Sequence, residues 1–64
     1  MRKDLKIEII RKFDTQVNFA RIVGKSDNWV SRIIRDRQDP TVEEKKMIAR
    51  TLNLKDVDSF LDET

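Results

Sequence analysis

The chain has 64 residues, which is enough for one small domain and too few for two hydrophobic cores. It contains no Cys and no His, and this composition excludes disulfides, the usual zinc and haem sites and the His-dependent catalytic arrangements. A single glycine excludes the P-loop and the dinucleotide-binding fingerprint, and a longest apolar run of three residues is too short to span a membrane.

The charge is distributed unevenly along the chain, whose formal net charge is +2. Residues 1–37 contain ten Lys/Arg and five Asp/Glu, whereas residues 38–64 contain four and seven. A basic N-terminal part suits a polyanionic partner such as nucleic acid, although charged residues also serve simply to solvate helix surfaces. The absence of Cys fits a reducing compartment and equally fits the small size of the chain, so a cytoplasmic location is the default expectation.

Apolar residues recur at helical spacing along the whole chain, and no stretch shows the alternation that is typical of a strand. A first helix is predicted over residues 4–13 and a second over residues 16–23. Thr15 is expected to cap the start of the second helix, and Gly24 to end it in a left-handed conformation. The residues expected to be buried on these helices are Leu5, Ile9, Ile10, Phe13, Phe19, Ala20 and Val23.

A third helix is predicted over residues 27–35, with Ser26 as its N-cap. The polar loop 36–40 follows and ends at a proline, which stops any helix before it. Thr41 and Glu44 then have the spacing of a capping box, in which each side chain bonds the other's backbone N–H. A fourth helix is therefore predicted to begin directly after Thr41.

The fourth helix is expected to end at Asn53, which favours a left-handed cap, and a short fifth helix is predicted over about residues 56–61. The residues expected to be buried on the last three helices are Val30, Ile33, Ile34, Val42, Ile48, Ala49, Leu52, Val57, Phe60 and Leu61. Five short helices joined by short loops predict one compact all-α domain.

The second helix, the third helix and the turn between them have the spacing of a DNA-binding helix-turn-helix, over about residues 16–35. In that motif a short turn makes two helices cross at a steep angle. The crossing requires a small residue where the helices touch, a glycine in the turn and two apolar anchors in the following helix. Ala20, Gly24, Val30 and Ile33 meet these four requirements in that order.

The sequence therefore resembles the Cro/CI-type (XRE-like) helix-turn-helix family of phage and bacterial repressors. The matching residues are Phe19-Ala20-Arg21, Val23-Gly24, Ser26, Val30-Ser31-Arg32, Pro40, Glu43-Glu44, Ile48-Ala49-Arg50 and Leu52. The resemblance implies a bacterial or phage-encoded, lambda-repressor-like five-helix domain with its third helix in the major groove of operator DNA. Lys25 departs from the family by replacing an apolar turn residue, and Asp36 and Asn53 depart from it by replacing common helix-ending glycines.

The outward face of the third helix carries the candidate base contacts, which are Asp27, Asn28, Ser31 and Arg32. Amide, hydroxyl and guanidinium groups bond base edges well, and Arg pairs bidentately with guanine. Asp27 can accept from a cytosine amine, but its position also stabilises the helix N-terminus, and that simpler role is the leading one. The alternative for the whole face is an ordinary polar helix surface, which the turn spacing disfavours.

Candidate phosphate contacts surround this face, and they are Gln16, Lys25, Ser26, Arg35 and Arg37. Gln16 stands at the start of the second helix, where exposed N–H groups and the side-chain amide can bind phosphate. An ordinary first-turn glutamine is the alternative for Gln16, and a merely solvated charge is the alternative for Arg37.

Two other features have alternative interpretations. Trp29 lies between the core side and the outward side of the third helix, where packing against the fourth helix or a loop is favoured over stacking on the DNA backbone. The pair Arg2-Lys3 can reach DNA as an arm, but a frayed terminus is the default expectation.

The residues and the resemblance predict a sequence-specific, double-stranded DNA-binding transcription regulator that is not an enzyme and uses no metal, cofactor or small-molecule ligand. The competing interpretation is an antitoxin or adaptor module that binds a protein through its acidic C-terminal part. The residues of that part are Asp58, Phe60, Leu61, Asp62 and Glu63. An enzyme is the weakest alternative, because the acidic pairs occupy capping or terminal positions without an enclosed pocket.

The resemblance also implies a homodimer, at least on DNA, because one helix in a groove buries too little surface for strong specificity. The C-terminal half is the candidate interface, since Met47 lies off the predicted buried stripe and the Phe60-Leu61 pair is expected to be partly exposed. The alternative is that these residues close the core of a monomer.

Overall fold

Five α-helices make up most of residues 1–61, the part of the chain that the structure, a computed structural model, describes. They are α1 (Lys3–Phe13), α2 (Gln16–Val23), α3 (Asp27–Ile34), α4 (Val42–Leu52) and α5 (Val57–Leu61). The all-α prediction is confirmed, and each helix end lies within one residue of its predicted position. Residues 1–61 contain no strand, and none of their helices combines the length and hydropathy that a membrane-spanning segment requires.

Side-chain oxygens cap the N-termini of α2, α3 and α4 at the predicted positions. The hydroxyls of Thr15 and Ser26 each accept the backbone N–H three residues later, at 3.1 and 3.0 Å. The capping box before α4 is complete, since the Thr41 hydroxyl accepts from the Glu44 N–H at 3.2 Å and the Glu44 carboxylate accepts from the Thr41 N–H at 2.8 Å. These bonds satisfy N–H groups that have no partner inside a helix.

A residue with a positive φ follows each of α2, α3 and α4: Gly24 (φ 72°) directly after α2, Asp36 (φ 60°) two residues after the end of α3, and Asn53 (φ 55°) directly after α4. After each of them, the next N–H bonds a carbonyl five residues earlier, at 2.9, 3.0 and 2.9 Å, which is the Schellman arrangement. Asp36 and Asn53 replace glycines of the resembled family, yet their short polar side chains allow the same left-handed conformation. Neither position therefore needs a glycine to adopt a positive φ.

The core lies at the centre of the five helices, with α2 packed against α1, α3 and α4, and α1 in contact with all the others. Its buried apolar residues are Leu5, Ile9, Phe19, Ala20, Val23, Trp29, Val30, Ile33, Ile34, Ile48, Leu52 and Leu61. Phe13, Met47, Leu54, Val57 and Phe60 are partly buried against this cluster. Every helix therefore contributes at least one buried side chain.

Two residues that were expected in the core are exposed instead, Ile10 at 39% and Val42 at 66%. Ile10 follows the buried Ile9, so its side chain points about 100° away from the core stripe of α1. Val42 is the first residue of α4, and its side chain lies about 120° around the helix from buried Ile48. The apolar stripes of α1 and α4 are thus narrower than predicted, and Ala49 is only half-buried.

The largest difference from expectation is at Arg2, which is buried with 3% of its surface exposed. Its Nε donates to the Leu61 carbonyl at 2.8 Å, and its Nη1 donates to the carbonyls of Ile33 at 2.8 Å and Gln38 at 3.1 Å. Its backbone N–H donates to the Ile34 carbonyl at 2.7 Å. The two expectations for Arg2, a DNA-binding arm or a frayed terminus, are therefore both wrong.

Two carboxylates complete the surroundings of Arg2. Its Nη2 lies 2.7 Å from an oxygen of Asp39 and 2.9 Å from an oxygen of Asp36. Every nitrogen of the guanidinium group therefore has at least one oxygen partner. Burial of an unpaired guanidinium costs several kcal/mol, so this set of partners is what makes the buried position stable.

We expect Arg2→Met to lower the free energy of unfolding by about 2–4 kcal/mol, because buried carbonyls at the ends of α3 and α5 lose their donors. Urea denaturation followed by circular dichroism measures the change. Lys3→Ala is the matched control, since Lys3 is exposed, and its loss should change stability by less than about 0.5 kcal/mol. A parent-like unfolding midpoint for Arg2→Met would contradict this role.

Candidate nucleic-acid interface

The turn 24–26 joins α2 to α3 and brings the two helices into direct contact. Ala20 of α2 is buried, and its small side chain suits the close approach of the two helices. Val30 and Ile33 anchor α3 in the core with 1% and 2% of their surfaces exposed. The positions identified from the spacing therefore show the expected burial, and Gly24 has the expected left-handed backbone.

The outward face of α3 carries the four predicted base contacts. Asp27 and Asn28 are exposed, whereas Ser31 and Arg32 are half-buried. Asn28, Ser31 and Arg32 lie within about 100° of one another around the helix axis. Since α3 is held from its other side by core residues, this polar face is available to a partner without any change in the fold.

The N-termini of α2 and α3 lie side by side at one end of this face. Gln16 Nε2 is 3.5 Å from Asp27 Oδ1, which links a predicted phosphate contact to a predicted base contact. The Asp27 carboxylate lies in the first turn of α3, where it also interacts favourably with the helix dipole. Both roles proposed for Asp27 therefore remain compatible with its position.

Arg32 has a partner that the sequence analysis did not identify. Its Nε donates to Oε1 of Gln38 at 2.9 Å, and both side chains are half-buried. Gln38 follows α3 by four residues and returns towards it because Asp36 reverses the chain with its positive φ. No periodic signal marks such a loop residue, and only a left-handed residue at position 36 would have suggested the reversal.

Lys25, a predicted phosphate contact, is engaged within the protein. Its Nζ lies 2.9 Å from Glu44 Oε2 of α4 and 5.4 Å from the centre of the Trp29 ring. Trp29 is buried in the core, which agrees with a packing role for this residue. Lys25 therefore ties the turn to α4, and a phosphate would have to share its ammonium group with Glu44.

The other predicted phosphate contacts differ in whether their side chains already have partners within residues 1–61. The Ser26 hydroxyl accepts the Trp29 N–H and keeps its own proton for donation to a partner. Arg35, directly after α3, and Arg37, in the following loop, are exposed and have no ion pair within residues 1–61. We use the term α3 surface for the region formed by Gln16, Asp27, Asn28, Ser31, Arg32, Arg35 and Gln38.

The C-terminal part differs from the interface that was expected there. Asp58 is 3.3 Å from Lys45 Nζ, while Asp62 and Glu63 lie outside the described residues. Leu61 is buried at 4% exposure and belongs to the core, so the expectation that it is partly exposed is wrong. The other two candidates, Met47 and Phe60, are partly buried against the same core.

The surroundings of Glu44 lower the pKa of its carboxyl group below the usual value. The backbone N–H of Thr41 and the ammonium group of Lys25 stabilise the carboxylate and lower the pKa of Glu44. Residues 1–61 form no pocket and contain no group of three acidic side chains that could hold a metal ion.

A lowered pKa in the folded state means that Glu44 stabilises the fold above its unfolded pKa and that this contribution is lost as the pH falls through the folded pKa. We therefore expect Glu44→Gln to be less stable than the parent at pH 7 and to lose less stability than the parent below about pH 4. Thermal melts between pH 2 and pH 7 measure both effects. Glu43→Gln, at the neighbouring position, is the control. If the melting temperatures of the two variants change equally with pH, the result would contradict the role of Glu44.

Comparison with known proteins provides no relative for this chain: no protein-family model, no curated protein and no solved structure matches it.

Proposed function

We propose that this protein is a sequence-specific, double-stranded DNA-binding transcription regulator of the Cro/CI-like kind, with α3 as its recognition helix. The observation that carries the proposal is the α2–turn–α3 unit, in which core residues hold one side of α3 and polar residues cover the other. An eight-residue helix is about 12 Å long and 10–12 Å across, which suits a major groove about 12 Å wide.

The polar residues of α3 have the chemistry that base recognition requires. Arg32 pairs with O6 and N7 of a guanine, Asn28 pairs with an adenine, and Ser31 serves as donor or acceptor. Asp27 accepts from a cytosine amine or acts only on the helix dipole.

Phosphate contacts orient α3 in the groove. Gln16 and Ser26 offer an amide and a hydroxyl at the starts of α2 and α3, where free N–H groups also favour anions. Arg35 and Arg37 provide unshared positive charge at the other end of α3, and Lys25 contributes through the charge that it shares with Glu44. The excess of Lys/Arg in residues 1–37 supports the same polarity.

We infer that the protein binds operator DNA as a homodimer, because one helix of this size buries too little surface for strong specificity. Two copies would place their α3 helices in half-sites about 34 Å apart. A protein of this kind acts in the cytoplasm of a bacterium, encoded by the host or by a phage. A partly exposed Met47 and Phe60 support a contact through the C-terminal half.

DNA affinity should fall steeply with salt, since phosphate contacts release counterions. We expect Arg37→Ala to reduce the log–log salt slope by about one in mobility-shift titrations. Lys46→Ala on α4, which also removes one exposed positive charge, is the control and should leave the slope unchanged. If Arg37→Ala leaves the salt slope unaltered, Arg37 is a solvated surface residue and not a phosphate contact. If the parent protein shifts no DNA even at low salt, the result favours the adaptor alternative.

Arg32→Ala should remove the preference at one base pair and leave the other positions of the operator intact, with a loss of roughly 1–3 kcal/mol of discrimination. In vitro selection of bound sequences, followed by titration of single-base variants, measures this preference. Arg35→Ala provides the contrast, because a phosphate contact weakens binding to all variants alike. Uniform weakening by Arg32→Ala would reject its role in base recognition but not DNA binding.

A further inference from the structure

We propose that Gln38 is a positioning residue that determines how Arg32 recognises its base, and this inference rests on the proposed function. The Oε1 atom of Gln38 accepts a hydrogen bond from Arg32 Nε at 2.9 Å. Gln38 lies outside α3, in the loop that precedes α4, and no base contact is required of it.

The hydrogen bond restricts which edge of the guanidinium group faces a partner. With Nε engaged by Gln38, the two terminal nitrogens of Arg32 are the donors that remain, and neither has a partner within residues 1–61. Two parallel bonds from those nitrogens match O6 and N7 of guanine. The alternative pairing, through Nε and one terminal nitrogen, is blocked while the bond to Gln38 persists.

The same bond lowers the entropic cost of base recognition. A free arginine side chain loses much rotamer freedom when it is held in one geometry. Arg32 is half-buried and already bonded in the unbound protein, so part of that ordering precedes DNA binding. Preorganisation of this kind strengthens the correct pairing and penalises a base that needs another orientation.

The position of Gln38 does not depend on its own side chain. Its backbone carbonyl accepts from Arg2 Nη1 at 3.1 Å, and the chain reversal before it is held by the bond from Arg37 N–H to the Arg32 carbonyl at 3.0 Å. Asp36 and Asp39, which lie on either side of Gln38 in the loop, both pair with Arg2. A side-chain substitution at position 38 therefore removes the acceptor while these contacts remain.

The test compares Gln38→Met, which keeps the side-chain length and removes the acceptor, with Gln38→Glu, which keeps an acceptor. Gln16→Met is the matched control, because it is the same substitution at the other glutamine of the α3 surface. Binding to operator variants with each base pair at the position read by Arg32 measures discrimination. NMR relaxation of the Arg32 Nε–H group in the free protein measures side-chain order independently of DNA.

We expect Gln38→Met to reduce discrimination at that single position about threefold to tenfold, which is the size of effect typical of two side chains in direct contact. The same substitution should increase the mobility of the Arg32 Nε–H group. Gln38→Glu should preserve the discrimination and the order even though its charge weakens binding to all DNA. Because Gln16 is a proposed phosphate contact, Gln16→Met should weaken binding to all operator variants alike and leave the discrimination at the position read by Arg32 unchanged. In an Arg32→Ala background, Gln38→Met should cause no further loss of discrimination.

Unchanged mobility of Arg32 in Gln38→Met would overturn the positioning role even if the protein binds DNA as proposed. Equal weakening of all operator variants by Gln38→Met would overturn it as well, since that result indicates a phosphate contact. A parent protein that selects no preferred sequence would instead refute the proposed function and with it any role in base recognition, whatever the NMR data show.

Discussion

A buried arginine near the start of the chain connects three parts of this fold. Arg2 bonds carbonyls at the end of α3 and the end of α5, and it pairs with two carboxylates of the loop between α3 and α4. The last carbonyls of a helix have no partner inside it, so a buried cation beside them satisfies hydrogen bonds and the helix dipole together. In a domain too small for a large core, such a polar connection replaces apolar contacts.

The same arginine links the stability of the fold to the α3 surface. The loop that Arg2 holds contains Gln38, and the Gln38 side chain in turn bonds Arg32 on the outward face of α3. The contacts thus form a chain from the interior to the proposed base-reading residue. The loop is held by Arg2 through its backbone and its carboxylates, so the bond from Arg32 to Gln38 is part of the folded protein without any partner present.

A second connection holds the turn between α2 and α3. Lys25, in the turn between α2 and α3, pairs with Glu44 in the first turn of α4 and lies over the Trp29 ring. Glu44 also completes the capping box of α4, so one carboxylate serves both the start of a helix and the position of the turn. Lys25 therefore has structural partners in both α3 and α4.

The sequence by itself determined the helices, their ends and most of the core, because these depend on neighbours within about four residues. Thr15, Ser26 and Thr41 cap the helices that their spacing predicts, and the apolar stripes identify nearly all buried positions. Only the tertiary structure decided the partners of Arg2, Lys25 and Arg32. Those contacts join residues that the fold brings together from different elements, and a long polar side chain has no periodicity that reveals its partner.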